Sequence, residues 1–395
     1  MCGQNSKNIC RERTHEMLDE FSQNKWQILI IKELIKEHLF IPDKTPSIIM
    51  QQIGDYQNNH LFVLRDDLIP FYLGGNKARK AYFYQENFEK MNVDCVVTYG
   101  SVQSNHARTI ALMAKAMNIP SFLISPQKFV VKNVTENNNQ RLRSLCNMQV
   151  INCPITEVKA TIEKTMGELA KWYINPYFIP GGGHDLVGIC AIVDLMFKID
   201  AWETEHDIIF DRIFFASGTG GTQAGLILGD VIADYAEKAH NKSNAVDNSI
   251  NRVLHNLSGI SIARKAENGI KPIKEAMNIF AEYFNLDLSS LIIMSEMNND
   301  INYVIDIGSD FEINSMIDFN TKYILGGYAK YNTEIKNLII KMLQAYQLPL
   351  DPNYTGKAFW GLTKELERIK GENVLFIHTG GTPLFYDFLQ TNIID

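Results

Sequence analysis

No apolar run in this 395-residue sequence approaches the ~18 residues that a membrane helix needs, so no span is expected. No secretory apolar segment opens it either, so no signal peptide is expected. The six cysteines, Cys2, Cys10, Cys95, Cys146, Cys153 and Cys190, form no Cys-x-x-Cys pair and no metal-ligand spacing. Several lie in apolar runs, such as Cys95 within Val93-Asp94-Cys95-Val96-Val97. They read as buried free thiols in a reducing compartment, which predicts a cytoplasmic location and no metal. A basic excess is missing too. The net charge of -7 disfavours nucleic acid or an anionic membrane as partner, yet permits a small anion held by local positive charge. Internal repeats are absent. What is abundant is apolar side chain, 46% of the residues, in a chain too long for one ordinary core. Two domains, or one large two-lobed α/β enzyme, are expected.

Residues 1–44 are polar and charged at first, then apolar around Trp26 to Ile31, which predicts a disordered head followed by a short helix. Beyond them strands and helices alternate. Strands are predicted at 61–64, 93–99, 121–124, 149–153 and 177–179, with helices at 81–91, from 104, at 135–147 and at 156–172. A second series has helices at 185–199, 223–236, 270–285, 333–347 and 356–370, and strands at 212–216, 257–263 and 373–378. Residues 237–251, rich in Asn, Lys, Ala and Ser, read as a surface insertion. Alternation with short connections implies parallel sheets flanked by helices.

The stretch that organises the chain is Gly74-Gly75-Asn76-Lys77-Ala78-Arg79-Lys80. Paired glycines let the backbone turn tightly and approach a bound group. Lys77 is then presented as an amine that forms a Schiff base with a carbonyl, provided its pKa falls from about 10.4 through burial or a nearby cation. Arg79 and Lys80 are the candidate cations. A solvated lysine beside a turn is the plain alternative.

Three strand ends carry polar or glycine-rich loops, and ligands of open α/β sheets bind at such ends. Ser217-Gly218-Thr219-Gly220-Gly221-Thr222 lacks the lysine of a Walker loop and the third glycine of a dinucleotide fingerprint. It fits a cradle for a lone phosphate, or an ordinary glycine turn capped by Thr222. Gln103-Ser104-Asn105-His106 opens a helix with more hydrogen-bonding groups than a cap requires, suiting a carboxylate or an aromatic hydroxyl. In Asp351-Pro352-Asn353-Tyr354-Thr355-Gly356-Lys357 the chemical candidate is Tyr354, whose phenol exchanges protons. His184, after three glycines, is a loop histidine and a candidate pocket residue.

These motifs occur together and in order with Arg65-Asp66-Asp67 and His378-Thr379-Gly380-Gly381. Over roughly residues 45–390 the chain thereby resembles the D-cysteine desulfhydrase and 1-aminocyclopropane-1-carboxylate (ACC) deaminase family. The resemblance implies a two-lobed tryptophan synthase β-like α/β fold (fold type II) with pyridoxal 5'-phosphate between the lobes. By that resemblance Lys77 matches the Schiff-base lysine, Asn105 a residue near the cofactor hydroxyl, and Gly218, Thr219, Gly220, Gly221 and Thr222 the phosphate loop. Thr379 matches a hydroxyl near the pyridine nitrogen. Ser104 and Tyr354 match proton-handling or carboxylate-binding residues, and Leu325-Gly326-Gly327-Tyr328 a pocket loop.

His106 and Thr355 stand as in desulfhydrase-like members, where ACC deaminases carry Gln and Glu. Gly182-Gly183-His184-Asp185 departs from the family's Gly-Gly-Ser-Asn. The substrate-binding set is therefore Ser104, Asn105, His106, His184, Tyr328, Tyr354 and Thr355. The expected organisation is an N-terminal extension (1–44), a large cofactor domain (45–80 and 185–395) and a small α/β domain (81–184). The expected activity is β-elimination from a small amino acid, foremost D-cysteine, by a homodimer. ACC deamination, β-replacement and cofactor binding without turnover are the alternatives.

Overall fold

The computed structural model describes residues 44–126, 136–243, 254–284 and 316–392, with backbone alone for 235–243 and 284. The predicted head and its helix lie outside these residues. Two sheets organise the rest. The larger has the order β1 (Met50–Tyr56), β2 (Asn59–Leu64), β10 (Asn373–Ile377), β7 (Arg212–Ser217), β8 (Asn256–Ser261) and β9 (Asp318–Asn320). The smaller has the order β5 (Gln149–Cys153), β4 (Ser121–Pro126), β3 (Cys95–Tyr99) and β6 (Pro176–Ile179). All pairings are parallel except β1 with β2. Parallel strands aim their carboxyl ends to one edge, so the loops after β2, β7, β8 and β10 share one edge.

The β1–β2 hairpin was not expected from the sequence. Gln57 and Asn58, both at positive φ (53° and 62°), form its two-residue turn. The register slips between Gln52 and Gly54, which blurs the alternation that marks a strand. β9 is only three residues long, and the final helix α10 (Thr382–Asn392) was also not predicted.

Helix α1 (Asn76–Met91) starts five residues before its predicted start at 81, because Gly75 at φ 91° ends the turn and serves as its N-cap. Lys77 therefore lies in the first helical turn. The remaining helices are α2 (Asn105–Ala116), α3 (Asn138–Leu145), α4 (Val158–Leu169), α5 (Leu186–His206), α6 (Gly221–Ser243), α7 (Ala266–Phe284), α8 (Thr333–Tyr346) and α9 (Thr355–Leu366). α6 runs on through Ser243, so the first half of the predicted insertion is helix; Ala, Glu and Lys there are good helix formers. Residues 244–251 lie outside the description.

Helices α5, α6 and α7 cover one face of the large sheet with a core including Ile189, Ile192, Met196, Phe215, Ile227 and Met277. Helices α8 and α9 cover the other through Ile335, Ile339, Phe359, Leu362 and Phe376. Gly225 and Gly229, one turn apart on α6, let α5 come close: a Cβ there would stand 2.5 Å and 2.6 Å from the Cβ atoms of Ile192 and Met196. Cys95, Cys153 and Cys190 are buried and unbridged, and Cys146 is half-buried and free. No described helix is long and apolar enough to cross a membrane.

Candidate active site

A cavity of about 970 Å³ opens between the two sheets. Lys77 lines it, and two glycines put it there. At Gly74 (φ 67°) a Cβ would sit 2.2 Å from the Asp67 carbonyl oxygen. At Gly75 it would sit 2.6 Å from that of Thr379. The Lys77 segment is thus pressed against the end of β10, and the Asn76 amide donates to the Thr379 carbonyl at 3.2 Å. Any side chain at either glycine would push this packing apart.

Charge around the lysine is sorted by pairing. Arg79, one candidate cation, is held by Asp66 at 2.6 Å and faces away from the amine's role. Arg65 forms a bidentate pair with Asp67 at 2.8 Å and 2.7 Å. Lys80, the other candidate, is buried beside Lys77. The two amines share the Gly182 carbonyl, Lys77 at 3.1 Å and Lys80 at 3.3 Å, and Lys80 also donates to the Gly183 carbonyl at 2.6 Å. Burial brings Lys77 down to about 8. Lys80 is lowered further, by burial first and then by Lys77. A useful share of Lys77 is therefore neutral near physiological pH.

The glycine loop after β7 also lines the cavity through Gly218, Thr219, Gly220 and Thr222. Gly220 takes φ 93°, and a Cβ on it would meet the Ile273 amide nitrogen at 2.9 Å. The loop is thus backed by α7 and open on its other side. The first N–H groups of α6 have no intrahelical acceptor and give this end a partial positive charge. Gly221 opens α6; it is not part of the cavity wall, and a Cβ there would come 3.1 Å from Lys80 Nζ. Asn76 Nδ2 donates to Thr222 Oγ1 at 2.8 Å, joining the lysine segment to the cradle.

At the small sheet, Ser104 is the N-cap of α2, its Oγ accepting from the Ala107 amide at 3.3 Å. The capping reading therefore holds, and the side chain lines the cavity as well. Asn105 Oδ1 accepts from Asn139 Nδ2 at 2.8 Å, which leaves the Asn105 amide donors turned elsewhere. His106 is buried. Thr98 Oγ1 donates to the Ile179 carbonyl at 2.8 Å and so accepts from His106 Nε2, 2.9 Å away. Burial, then the nearby lysines, holds His106 neutral. His184 has Nδ1 2.9 Å from the Gly181 carbonyl, an acceptor, so Nδ1 carries the proton and Nε2 a lone pair. Its pKa is lowered by burial. The next residue, Asp185, is half-buried: it caps α5 at the Gly188 amide and accepts from the Tyr84 and Tyr177 hydroxyls.

Tyr354 and Tyr328 face the cavity as an edge-on pair, and Tyr354 donates to the Tyr328 hydroxyl at 3.1 Å. Burial first, then the partner phenol, lifts Tyr354 well above the ordinary phenol value. Tyr354 thus keeps its proton and can act as an acid. Thr379 lines the cavity too. Thr355 does not: it is fully buried and its hydroxyl donates to Asp351 Oδ2 at 2.8 Å. The Asp351 carboxylate also takes the amides of Asn353, Tyr354 and Thr355, an arrangement that organises the start of α9 and turns Thr355 away from the substrate space.

Four participants were not singled out by sequence reasoning: Asn76, Asn139, Tyr99 and Arg264. Asn76 adjoins the lysine and was within reach of a spacing argument. The others meet the site only through tertiary approach.

Residues 41–229 match the model of the family described as pyridoxal-phosphate dependent enzyme. The chain is thus similar over residues 41–229 to pyridoxal-phosphate dependent enzymes. Its fold is similar to that of an ACC deaminase homologue, at 24% identity and TM-score 0.65, covering 94% of this chain and 99% of that one. It is also similar to O-ureido-L-serine synthase, at 12% identity and TM-score 0.51, covering 88% and 93%. O-Acetylserine dependent cystathionine β-synthase from Helicobacter pylori matches at 18% identity and TM-score 0.51, covering 88% and 95%. These likenesses show the two-lobed fold type II expected from the sequence. The pyridoxal-phosphate enzyme needs a carbonyl-reactive amine and a phosphate cradle. Lys77, brought down to about 8, and a glycine loop at a helix N-terminus, where a Cβ on Gly220 would press on the Ile273 amide, satisfy both requirements.

Proposed function

We propose that this pyridoxal-phosphate enzyme removes hydrogen sulfide from D-cysteine by β-elimination, with water then giving pyruvate and ammonia. The observation that carries the reading is that a partly neutral amine, Lys77, and a proton-bearing phenol, Tyr354, line the same cavity. Such a pair serves the two proton transfers of an elimination, one off Cα and one onto the leaving sulfur. When bound, pyridoxal phosphate supplies the aldehyde that captures the substrate amine and the ring that stabilises negative charge at Cα.

The chain's residues supply the rest. Lys77 binds the cofactor carbonyl and, once freed, takes the Cα proton. Gly218, Thr219, Gly220 and Thr222 hold the phosphate at the N-terminus of α6, Thr379 offers a neutral hydroxyl to the ring, and Asn105 orients it. The N-terminus of α2 with Ser104 receives the substrate carboxylate, since anions are stabilised there. Tyr354, positioned by Tyr328, protonates sulfur. His106 and His184, both neutral, shape the substrate wall. The D-configuration rests on the family resemblance at His106 and Thr355, the latter acting through Asp351 and the Tyr354 turn.

The two sheets support a division into a large domain (45–80 and 185–395) and a small one (81–184), and we extend the reading to a cytoplasmic homodimer, testable by sedimentation. Turnover by Tyr354→Phe tests the acid role. On D-cysteine kcat should fall by about 100-fold, within the usual range for a lost general acid. β-Chloro-D-alanine, whose chloride leaves without a proton, should lose less than about tenfold. Equal losses on both would contradict the assignment of Tyr354.

A further inference from the structure

One cation in the cavity is unused by this mechanism. Arg264 follows β8 at the shared carboxyl edge, one strand beyond the glycine loop. Its backbone is fixed by Ser261, whose Oγ accepts from the Arg264 amide at 3.0 Å and donates to the Arg264 carbonyl at 2.7 Å. The half-buried side chain lines the cavity. Among the described residues its guanidinium makes one hydrogen bond, from Nη1 to the Asn268 carbonyl at 3.3 Å. Among the described residues no carboxylate pairs with it. Burial lowers its pKa, while Tyr99 opposes that shift. Tyr99 ends β3, so the guanidinium and the phenol face each other across the cleft between the sheets.

Lys77 and Arg264 are the lysine and arginine side chains among the described residues lining the cavity. Glu275 also lines it, but is exposed and pairs with Lys271 at 3.8 Å. A guanidinium partly withdrawn from water, with donors free and no counter-ion, is stabilised by an incoming oxyanion. The substrate's α-carboxylate is already accommodated at the N-terminus of α2, on the other sheet. The cofactor phosphate is accommodated by the loop of β7.

We propose that Arg264 binds an oxyanion carried on the substrate's side chain, so that the preferred substrates are amino acids whose β-substituent bears a phosphate, sulfonate or carboxylate. The inference rests on the β-elimination reading and narrows it: D-cysteine is then the minimal substrate. For O-phosphoserine the Cα proton passes to Lys77, the Cβ–O bond breaks, and phosphate leaves with its electron pair. Water then converts the aminoacrylate to pyruvate and ammonia.

The test compares kcat/KM of the holoenzyme for O-phospho-D-serine and D-cysteine, in wild type, Arg264→Gln and Arg264→Lys. The ratio of phosphoserine to cysteine should fall by about 10- to 100-fold in Arg264→Gln, as loss of a charge-assisted contact implies, and recover in part in Arg264→Lys. An unchanged ratio, including equal losses on both substrates, overturns the inference. Absence of turnover on every β-substituted amino acid would instead defeat the proposed function, and calorimetric titration of the holoenzyme then decides the role of Arg264. Tighter binding of O-phospho-D-serine than of D-alanine, lost in Arg264→Gln, supports it; equal affinities overturn it.

Discussion

Asn76 donates its side-chain amide to the Thr222 hydroxyl at 2.8 Å, so the residue before the lysine is tied to the helix that closes the phosphate cradle. This bond couples the two halves of the cofactor site, which come from the ends of β2 and β7. Asn76→Ala should leave Thr222 without its buried donor and cost about 1 kcal/mol of cofactor affinity, roughly fivefold in Kd. Titration of the apoenzyme with pyridoxal phosphate, followed by the visible absorption of the lysine-bound cofactor, measures it. Unchanged affinity would uncouple the two halves.

Gly220→Val probes the cradle itself. A side chain there must adopt φ near 93° and press on the Ile273 amide. The variant should lose cofactor affinity by at least tenfold while free pyridoxal, lacking the phosphate, is affected far less. Equal effects on both would place the phosphate elsewhere. Lys77→Ala should abolish the visible band altogether.

The pH dependence of stability should reveal a second feature, away from the site. His255 is buried, with Nδ1 2.6 Å from Asp230 and Nε2 2.9 Å from Glu203. Burial opposes its charge, yet the two carboxylates raise it to about 9. A raised histidine contributes fully below its unfolded value near 6.5 and loses that contribution as pH rises through about 9. Wild type should therefore lose on the order of 3 kcal/mol across that window relative to His255→Gln. Urea melts of both proteins at pH 6 and pH 9.5 give the difference; a constant gap would mean that His255 is neutral.

Thr355→Glu should not convert the enzyme to efficient ACC opening. Thr355 lies off the cavity, and a carboxylate there would crowd the buried Asp351, whose pKa burial already raises. The expected result is a lower melting temperature, by several degrees, with no gain of ACC turnover. Fast ACC opening by the variant would show that the position reaches substrate.

Apart from the three-residue β9, the alternation of strands and helices from β2 to β10 could be read from hydrophobic pattern, because the strands are short apolar runs, and those after which the site is built, such as β7 and β10, end in glycine-rich loops. The hairpin strand β1 could not, since a register slip and a Gln57-Asn58 turn hide its period. Lys77, the cradle and the tyrosines stood out by motif. The fate of Arg79, Lys80 and Thr355 did not, because each is decided by a partner distant in sequence or one turn away: Asp66, Gly183 and Asp351. Arg264 is an isolated arginine after a strand with no local signature, and only the facing sheet makes it a cavity residue.

The most direct test of the central claim is the steady-state rate of 2-oxoacid release from D-cysteine, L-cysteine, β-chloro-D-alanine and ACC by the purified holoenzyme. Pyruvate is expected from the β-substituted amino acids, with D-cysteine faster than L-cysteine and ACC a poor substrate. ACC turning over faster than every β-substituted amino acid would contradict it.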